Sequence, residues 1–312
     1  MTTASEITPV FRESELVATR LEAIPTPTPA DATAGPRADA YLVQIYPANG
    51  NFCRRYPLGP GPIHLGRDHT TIPIPDDPAV SRTHAQVARQ PDGGYLVSDL
   101  KSTNGTYLND VPLTTGPLRS GDALRVGDTV FRFLSGRDVE SRYVEEVRQL
   151  TVTDPSTGLP NRQSLAEALA RETGRSGTRM HPLVLTLAGV DHLRGIETGL
   201  GRYGGNVVLR AVAERIRPVI GRRGLLARYG EAEVAVLFPG ASPGRAVILG
   251  ERVRRMTSER PLEINGRTYA LTASVGVVSW KPGDRGGHDE LLLRAAARLT
   301  DAQRTGGNRV CA

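Results

Sequence analysis

Between Ala40 and about Gly136, apolar and polar positions alternate in short runs separated by turn-forming clusters: YLVQIY, PIHLGR, TIPI, HAQVAR, GYLVSDL, TYLN, ALRVGD and TVFRFL. Successive side chains of an extended chain point to opposite faces, so a period of two marks strands with one face buried. Strands this short and this evenly spaced predict an all-β sandwich. The period then changes. In RDVESRYVEEVRQLTV, Val139, Tyr143, Val147 and Leu150 recur at spacings of four, four and three, one narrow apolar stripe on a helix. Such a stripe serves either as a dimerising seam or as a face packed on a neighbouring domain, and periodicity does not choose between them. Beyond it helices and strands mix: helix RQSLAEALARE, strand HPLVLTLAGV, helix GRYGGNVVLRAVAERIRPVI, hairpin RYGEAEVAVLF, helix PGRAVILGERVRRMTSE, strands LEING and YALTASVGVVSW, and helix HDELLLRAAARLTDAQRTG. The mixture predicts an α+β domain around a central, mostly antiparallel sheet.

The organisation expected is therefore multidomain: a tail over residues 1–39, a β-sandwich over 40–136, a linker helix over 137–153 and an α+β domain over 154–312. A chain of 312 residues can bury two such cores. The tail, with AIPTPTPADATAGPRADA, is too rich in Pro, Thr, Ala and Gly to offset its ordering entropy and reads as disordered. No window reaches the roughly 18 unbroken apolar residues of a membrane span, and the first residues lack the apolar core of a secretory signal, so a cytoplasmic, membrane-free protein is expected. Cys53 and Cys311 lie far apart without metal-ligand spacing, which predicts neither a disulfide framework nor a metal site. A net charge of +6 suggests nucleic acid, but the arginines are dispersed and aromatics make up only 5%, leaving no stacking platform; nucleic-acid binding is not expected.

Four motifs follow one another in the sandwich: Gly66-Arg67, Ser81-Arg82-Thr83-His84, Ser102-Thr103-Asn104-Gly105-Thr106 and Asn109. In this order they resemble the forkhead-associated (FHA) domain, whose end loops bind phosphothreonine peptides. A phosphothreonine carries about −1.5 to −2 charges and three acceptor oxygens, so its reader needs a planar cation and several donors converging from different loops. The resemblance assigns that work to Arg67, Ser81, Arg82 and Thr103, with Asn104 and Asn109 as further peptide-site residues, and gives His84 an architectural place.

DPSTGLPNRQSL, beginning at Asp154, resembles the signature that opens GGDEF domains, the diguanylate cyclases that condense two GTP into cyclic di-GMP. The likeness continues through VDHLRGIETGLGRYGGNVVLRAVAERI, LLARYGEAEVAVLFPG, LTASVGVV and the terminal GGNRV. Transferred residue by residue, the family's chemistry is missing. The metal-binding aspartate falls on Gly189, and the guanine-reading pair on Glu197 and Asn206. In the namesake turn, Glu231 replaces the second glycine and Ala232 the catalytic acid, while Glu233 is kept. The phosphate-holding lysine and arginine become Gln303 and Gly307, and the inhibitory Arg-x-x-Asp falls on Gly221-Arg222-Arg223-Gly224. Mg²⁺ needs carboxylate anchors between phosphates, and Glu231 adds an anion where triphosphate would lie. If residue 231 keeps the positive φ of a glycine turn, it also carries roughly 1–2 kcal/mol of strain.

These features predict a non-enzymatic signalling protein: a phosphothreonine reader joined to an inactive GGDEF domain serving in interaction or dimerisation, with no cofactor and no metal. Two alternatives remain open, a divergent nucleotide cyclase using Mg and GTP with Glu231 or Glu233 as shifted ligands beside Asp191, and a nucleotide sensor without turnover. Expected partners are a phosphothreonine-containing protein, a Ser/Thr protein kinase, and a second copy through the linker helix and GGDEF domain. Thr26 and Thr28 precede prolines, and Asp31 follows Thr28 by three residues, so a phosphorylated tail is an internal candidate ligand.

Overall fold

The alternating runs become strands at the expected places. In the computed structural model, residues 38–312 are described apart from 48, 69, 175–180, 265 and 285; Thr26 and Thr28 lie outside the described residues. The first domain comprises β1 (Ala40–Tyr46), β2 (Arg55–Pro57), β3 (Ile63–Gly66), β4 (Ile72–Pro73), β5 (Ala85–Arg89), β6 (Tyr95–Asp99), β7 (Thr106–Leu108), β8 (Val111–Leu113), β9 (Thr115–Leu118), β10 (Ala123–Val126) and β11 (Thr129–Ser135). They form two sheets, in the orders β2-β1-β11-β10-β7-β8 and β4-β3-β5-β6-β9. Leu42, Leu124, Phe131 and Phe133 meet Leu65, Val87 and Val97 in one core. Burying each such side chain contributes about 1.5–3 kcal/mol. The strands β2, β8 and β9 (RYP, VPL and TGPL) were not expected, because a three- or four-residue edge with proline carries no readable period.

Helix α1 (Val139–Val152) resolves the ambiguity of its stripe. Tyr143 is buried and its hydroxyl donates to the Cys53 carbonyl at 3.0 Å. Arg55 pairs with Glu140 at 2.6 Å while its guanidinium lies over the rings of Tyr41 and Tyr143, and Arg132 pairs with Glu146 at 3.1 Å. The stripe is thus laid on the sandwich of its own chain. Val139, Tyr143 and Leu150 are buried within the chain's own fold, while Val144 beside them stays 64% exposed.

The second domain comprises α2 (Arg162–Thr173), β12 (Leu183–Val190), α3 (Leu193–Ile220), β13 (Leu225–Arg228), β14 (Glu233–Pro239), α4 (Ala246–Ser258), β15 (Leu262–Ile264), β16 (Arg267–Tyr269), β17 (Ala273–Trp280), α5 (His288–Arg304) and β18 (Val310–Cys311). Its five-stranded sheet has the order β13-β14-β12-β17-β18 and is antiparallel except between β17 and β18. Along β12, Val184, Ala188 and Val190 share a cluster with Leu209, Val212 and Ile216 of α3 and Val253 of α4. Leu183, Leu185 and Leu187 share the other with Leu165 and Leu169 of α2 and Leu299 of α5. Both faces are covered, which is why LVLTLAGV is apolar at every position but Thr186 rather than alternating. Helix α3 begins at Leu193, well before the Gly201 start read from the sequence. Glycines between 195 and 205 each cost about 1 kcal/mol of helix propensity, but buried Leu193 and Tyr203 anchor the turns that propensity disfavours. No described helix is long and apolar enough to cross a membrane.

Candidate functional site

Three loops meet at one end of the sandwich because their backbones are bonded directly. The Arg67 N–H donates to the Ser81 carbonyl at 3.0 Å and that of Asp68 to the Arg82 carbonyl at 3.3 Å. A Cβ at position 66 would lie 2.2 Å from the Arg82 carbonyl oxygen, so only glycine permits this approach. Fully buried His84 joins the next loop: its Nδ1 accepts from the Ser81 N–H at 3.1 Å, and Nε2 lies 3.1 Å from the Gly105 carbonyl. Since Nδ1 accepts, Nε2 carries the proton and donates. Burial lowers the His84 pKa, only partly opposed by the Gly105 carbonyl and nearby aspartates, so the neutral ring is the working form. Asp99 shapes the third loop by accepting from the Ser102 N–H at 3.1 Å and the Thr106 hydroxyl at 2.7 Å. Its burial acts to raise the pKa, but these hydrogen bonds and that of the Ser102 hydroxyl outweigh it and hold the carboxyl below its ordinary value.

The result is a cleft of about 720 Å³ lined by Arg67, Ser81, Arg82, Thr103 and Asn104, with Asp68 and Thr83 beside them. Thr103 donates its N–H to Ser81 Oγ at 3.0 Å, and Asn104 Nδ2 donates to the Ala79 carbonyl at 2.7 Å. Among the described residues the guanidinium groups of Arg67 and Arg82 have no hydrogen-bond or ion-pair partner, and both side chains are exposed. Two such cations beside hydroxyls and amides match the demands of a phosphate dianion. Asn109 stands apart from the cleft, contrary to expectation. Its Nδ2 donates to Asp122 at 2.8 Å, its Oδ1 accepts from the Ala123 N–H at 2.9 Å, and its backbone is left-handed with φ 50°. It pins the β7–β8 turn to β10 and does not line the cleft.

In the second domain several positions aligned with cyclase chemistry hold one another, although Nδ2 of buried Asn206 has no hydrogen-bond partner among the described residues. Gly189 is the penultimate residue of β12, and Gln303 Nε2 lies 3.0 Å from where a Cβ at 189 would be, so the two replacements fill adjoining space. Asp191 accepts from the Thr272 hydroxyl at 2.8 Å, the Ser274 hydroxyl at 2.7 Å and the Asn308 N–H at 2.9 Å, tying the C-terminal loop to β17. At Gly307, φ is 70° and a Cβ would approach the Asp191 carboxylate to 3.3 Å. Arg228, which the motifs did not single out, is the hub. It donates to Asp154 at 3.1 Å, to buried Asn206 Oδ1 at 2.8 Å, and to the carbonyls of Gly230 and Glu231 at 3.0 and 3.3 Å. Glu233 accepts from the Ala232 N–H at 3.2 Å and lies over Gly230, where a Cβ would be 2.1 Å from its Oε2. Burial raises the Glu233 pKa, partly opposed by that N–H and added to by Glu231. Glu197 lies along α3 over Gly205. Glu231 is not among the residues with left-handed backbone, so the strain expected at this turn does not arise.

A magnesium-bound triphosphate requires several hard anionic oxygens directed at one point. Gly189 and Ala232 have none, those of Asp191 are committed to three donors, and Glu233 serves its own turn. Among the described residues no group of three or more His, Cys, Asp or Glu side chains gathers in a metal-holding arrangement. The residues present therefore do not fit that group. Gly221 to Gly224 line a separate cleft of about 320 Å³ with Phe238 and Leu249.

Comparison with known proteins agrees with both halves. A family model described as the FHA domain matches residues 63–127, and one described as "Diguanylate cyclase, GGDEF domain" matches residues 151–309. The chain is similar to the diguanylate cyclase DgcP of Pseudomonas aeruginosa, 32% identical over 168 residues that make up 54% of this chain and 25% of that protein. Among solved structures, the coiled coil and GGDEF domain of DgcB from Caulobacter crescentus in complex with c-di-GMP is 30% identical, covering 55% of this chain and 91% of that one at a TM-score of 0.49. Mycobacterium tuberculosis EmbR in complex with a low affinity phosphopeptide is 31% identical, covering 32% of this chain and 25% of that one at a TM-score of 0.29. The chain spans only 25, 20 and 25% of the length of the first curated relatives it matches. With a Gly-Glu-Ala-Glu turn between paired strands β13 and β14 and an FHA domain preceding it, the chain belongs to the GGDEF family of diguanylate cyclase domains.

Proposed function

We propose that this protein is a signalling adaptor that binds phosphothreonine peptides through its FHA cleft and uses its GGDEF domain without catalysis, as an interaction module. The succession of the two domains supports a signalling role. The observation that carries the reading is the cleft itself, where Arg67 and Arg82 lack partners among the described residues while Ser81, Thr103 and Asn104 converge on the same space. Loss of turnover is supported by Gly189, Ala232, Gln303 and Gly307, each lacking the charged group that phosphoryl transfer needs for positioning and charge stabilisation. The partner is a phosphothreonine-containing protein modified by a Ser/Thr kinase, with the chain's own Thr28 segment as one candidate ligand.

Two measurements test this. Calorimetric titration with phosphothreonine peptides and their unphosphorylated counterparts is expected to show binding of the former alone; equal binding of both rejects the reader. Incubation with GTP or ATP and Mg²⁺ or Mn²⁺, followed by chromatography, is expected to yield no cyclic dinucleotide. A product that disappears in Glu233→Gln would establish the divergent-cyclase reading instead.

A further inference from the structure

The β7–β8 turn places two successive residues, Asn109 and Asp110, in left-handed backbone. Asp110 has φ 67°, a left-handed backbone in which glycine would be unstrained. Its carboxylate instead reaches across to the second domain, accepting from the Tyr203 hydroxyl and pairing with Arg210, both on α3. Arg210 also donates to the Ser156 carbonyl in the DPSTG segment. The Tyr203 N–H donates to Asp128 at 3.0 Å, making a second tie from α3 to the sandwich. Between these ties, the guanidinium of Arg125 on β10 is stacked between two rings, 3.7 Å from Tyr107 of the first domain and 4.3 Å from Tyr203 of the second. Tyr107 follows Gly105 by two residues, and the Gly105 carbonyl is hydrogen-bonded to His84 behind the phosphothreonine loop.

The loop bearing Thr103 and Asn104 thus leads directly into β7, and from its Tyr107 the contacts run through Arg125 to Tyr203. On α3, Tyr203, Asn206 and Arg210 stand at spacings of three and four, one helical face. The residues gripped by the first domain thus bracket Asn206, which Arg228 connects to the Gly-Glu-Ala-Glu turn. Aspartate tolerates left-handed backbone in such a turn, and the partners its carboxylate finds there belong to another domain.

We propose that this joint couples the two domains: the phosphothreonine loop and the Tyr203–Arg210 face of α3 are held as one unit, so that peptide in the cleft changes what the GGDEF domain presents. The inference rests on the phosphothreonine reading and adds to it a condition, since a partner of the GGDEF domain would bind differently to the occupied and the empty adaptor. Linkage is reciprocal, so disturbing α3 must alter peptide affinity as well.

Hydrogen exchange on the full chain tests it. The probes are a peptide of residues 22–34 phosphorylated at Thr28 and a randomised phosphothreonine peptide pool. In wild type, peptide is expected to slow exchange in both 102–108 and 203–210; in Asp110→Asn and Tyr203→Phe, protection should stop at the first domain and peptide affinity should change about fivefold. Protection confined to 102–108 in wild type, with unchanged affinity in both variants, overturns the coupling and leaves the reader intact. If neither probe protects any segment, the reader fails, and the joint is decided without ligand: Asp110→Asn must speed exchange on both sides. Acceleration on one side alone overturns it. Tyr203→Phe removes a single hydroxyl and guards against an outcome that reflects misfolding.

Discussion

The two candidate sites use similar materials, arginine, asparagine, acids and tight turns, yet they divide the work differently. Around the FHA cleft, organisation falls to groups set back from the opening: His84 and Asp99 hold the loops, leaving Arg67 and Arg82 without partners among the described residues. In the GGDEF domain the groups at the site do the holding. Asp191 braces the C-terminal loop, and Arg228 binds Asp154, Asn206 and the turn's own carbonyls. A polar group already satisfied inside the protein offers little to a ligand, because each new hydrogen bond must replace an existing one. The comparison teaches that the two sites differ chiefly in their charged groups: the cleft's guanidinium groups have no partner among the described residues, whereas Asp191 and Arg228 in the second domain each hold several.

The largest test of that contrast is Arg67→Ala. Removing a charge-assisted contact to a phosphate dianion is expected to cost about 3 kcal/mol, more than a hundredfold in affinity, with little change in the thermal midpoint because the side chain is exposed. Ser81→Ala should weaken binding too, and it also releases the Thr103 N–H from its partner. Titration calorimetry beside thermal denaturation checks both; an Arg67→Ala variant that binds phosphopeptide as wild type does would break the contrast at its source.

His84→Ala probes the set-back layer and should act on stability. It leaves the Ser81 N–H and Gly105 carbonyl without their partner and opens a buried void, at a cost of about 3 kcal/mol. The pH dependence has a definite sign. The folded pKa of His84 lies below its ordinary 6.5, so the unfolded chain takes up the proton first. Its contribution is complete above about pH 6.5 and is lost as pH falls through the lowered folded pKa. Urea midpoints between pH 4 and 8 should show this slope in wild type and lose it in the variant.

Asn109→Ala sharpens the boundary of the cleft. Its two side-chain hydrogen bonds are exposed, so stability should fall by about 1 kcal/mol while phosphopeptide affinity stays within twofold. A tenfold loss of affinity at unchanged stability would restore Asn109 to the peptide site.

Asn109 also marks the limit of what the residues reveal in order. The cleft motifs were legible because each loop is short and its outward residues keep one chemistry wherever the loop folds. At Asn109 the same residue type suits a ligand contact and a left-handed turn equally, and only the fold decides between them. The stripe on α1 was legible as a stripe, but its partner was not. Asp110 left no trace in the sequence, since Tyr203 and Arg210 lie 93 and 100 residues away. The start of α3 was obscured by glycines whose low propensity is overridden by burial of Leu193 and Tyr203. Arg228 was passed over because its role depends on carbonyls that only the folded turn directs toward it.

The smallest effect carries the sharpest sign. Were Glu231 held in left-handed backbone, Glu231→Gly would relieve roughly 1–2 kcal/mol of strain and stabilise the protein. Its φ is not left-handed, so glycine brings no relief and instead adds freedom to the unfolded chain, at a cost of about 0.5–1 kcal/mol. Removing the Glu231 charge, which acts to raise the Glu233 pKa, offsets part of that cost. The expected outcome is a thermal midpoint unchanged or slightly lowered, with no gain of nucleotide binding, because Ala232 and Gly189 still supply no carboxylate. A clear rise in the midpoint would mean that the turn keeps the glycine geometry of a working cyclase, and the contrast between the two sites would then rest on side chains alone.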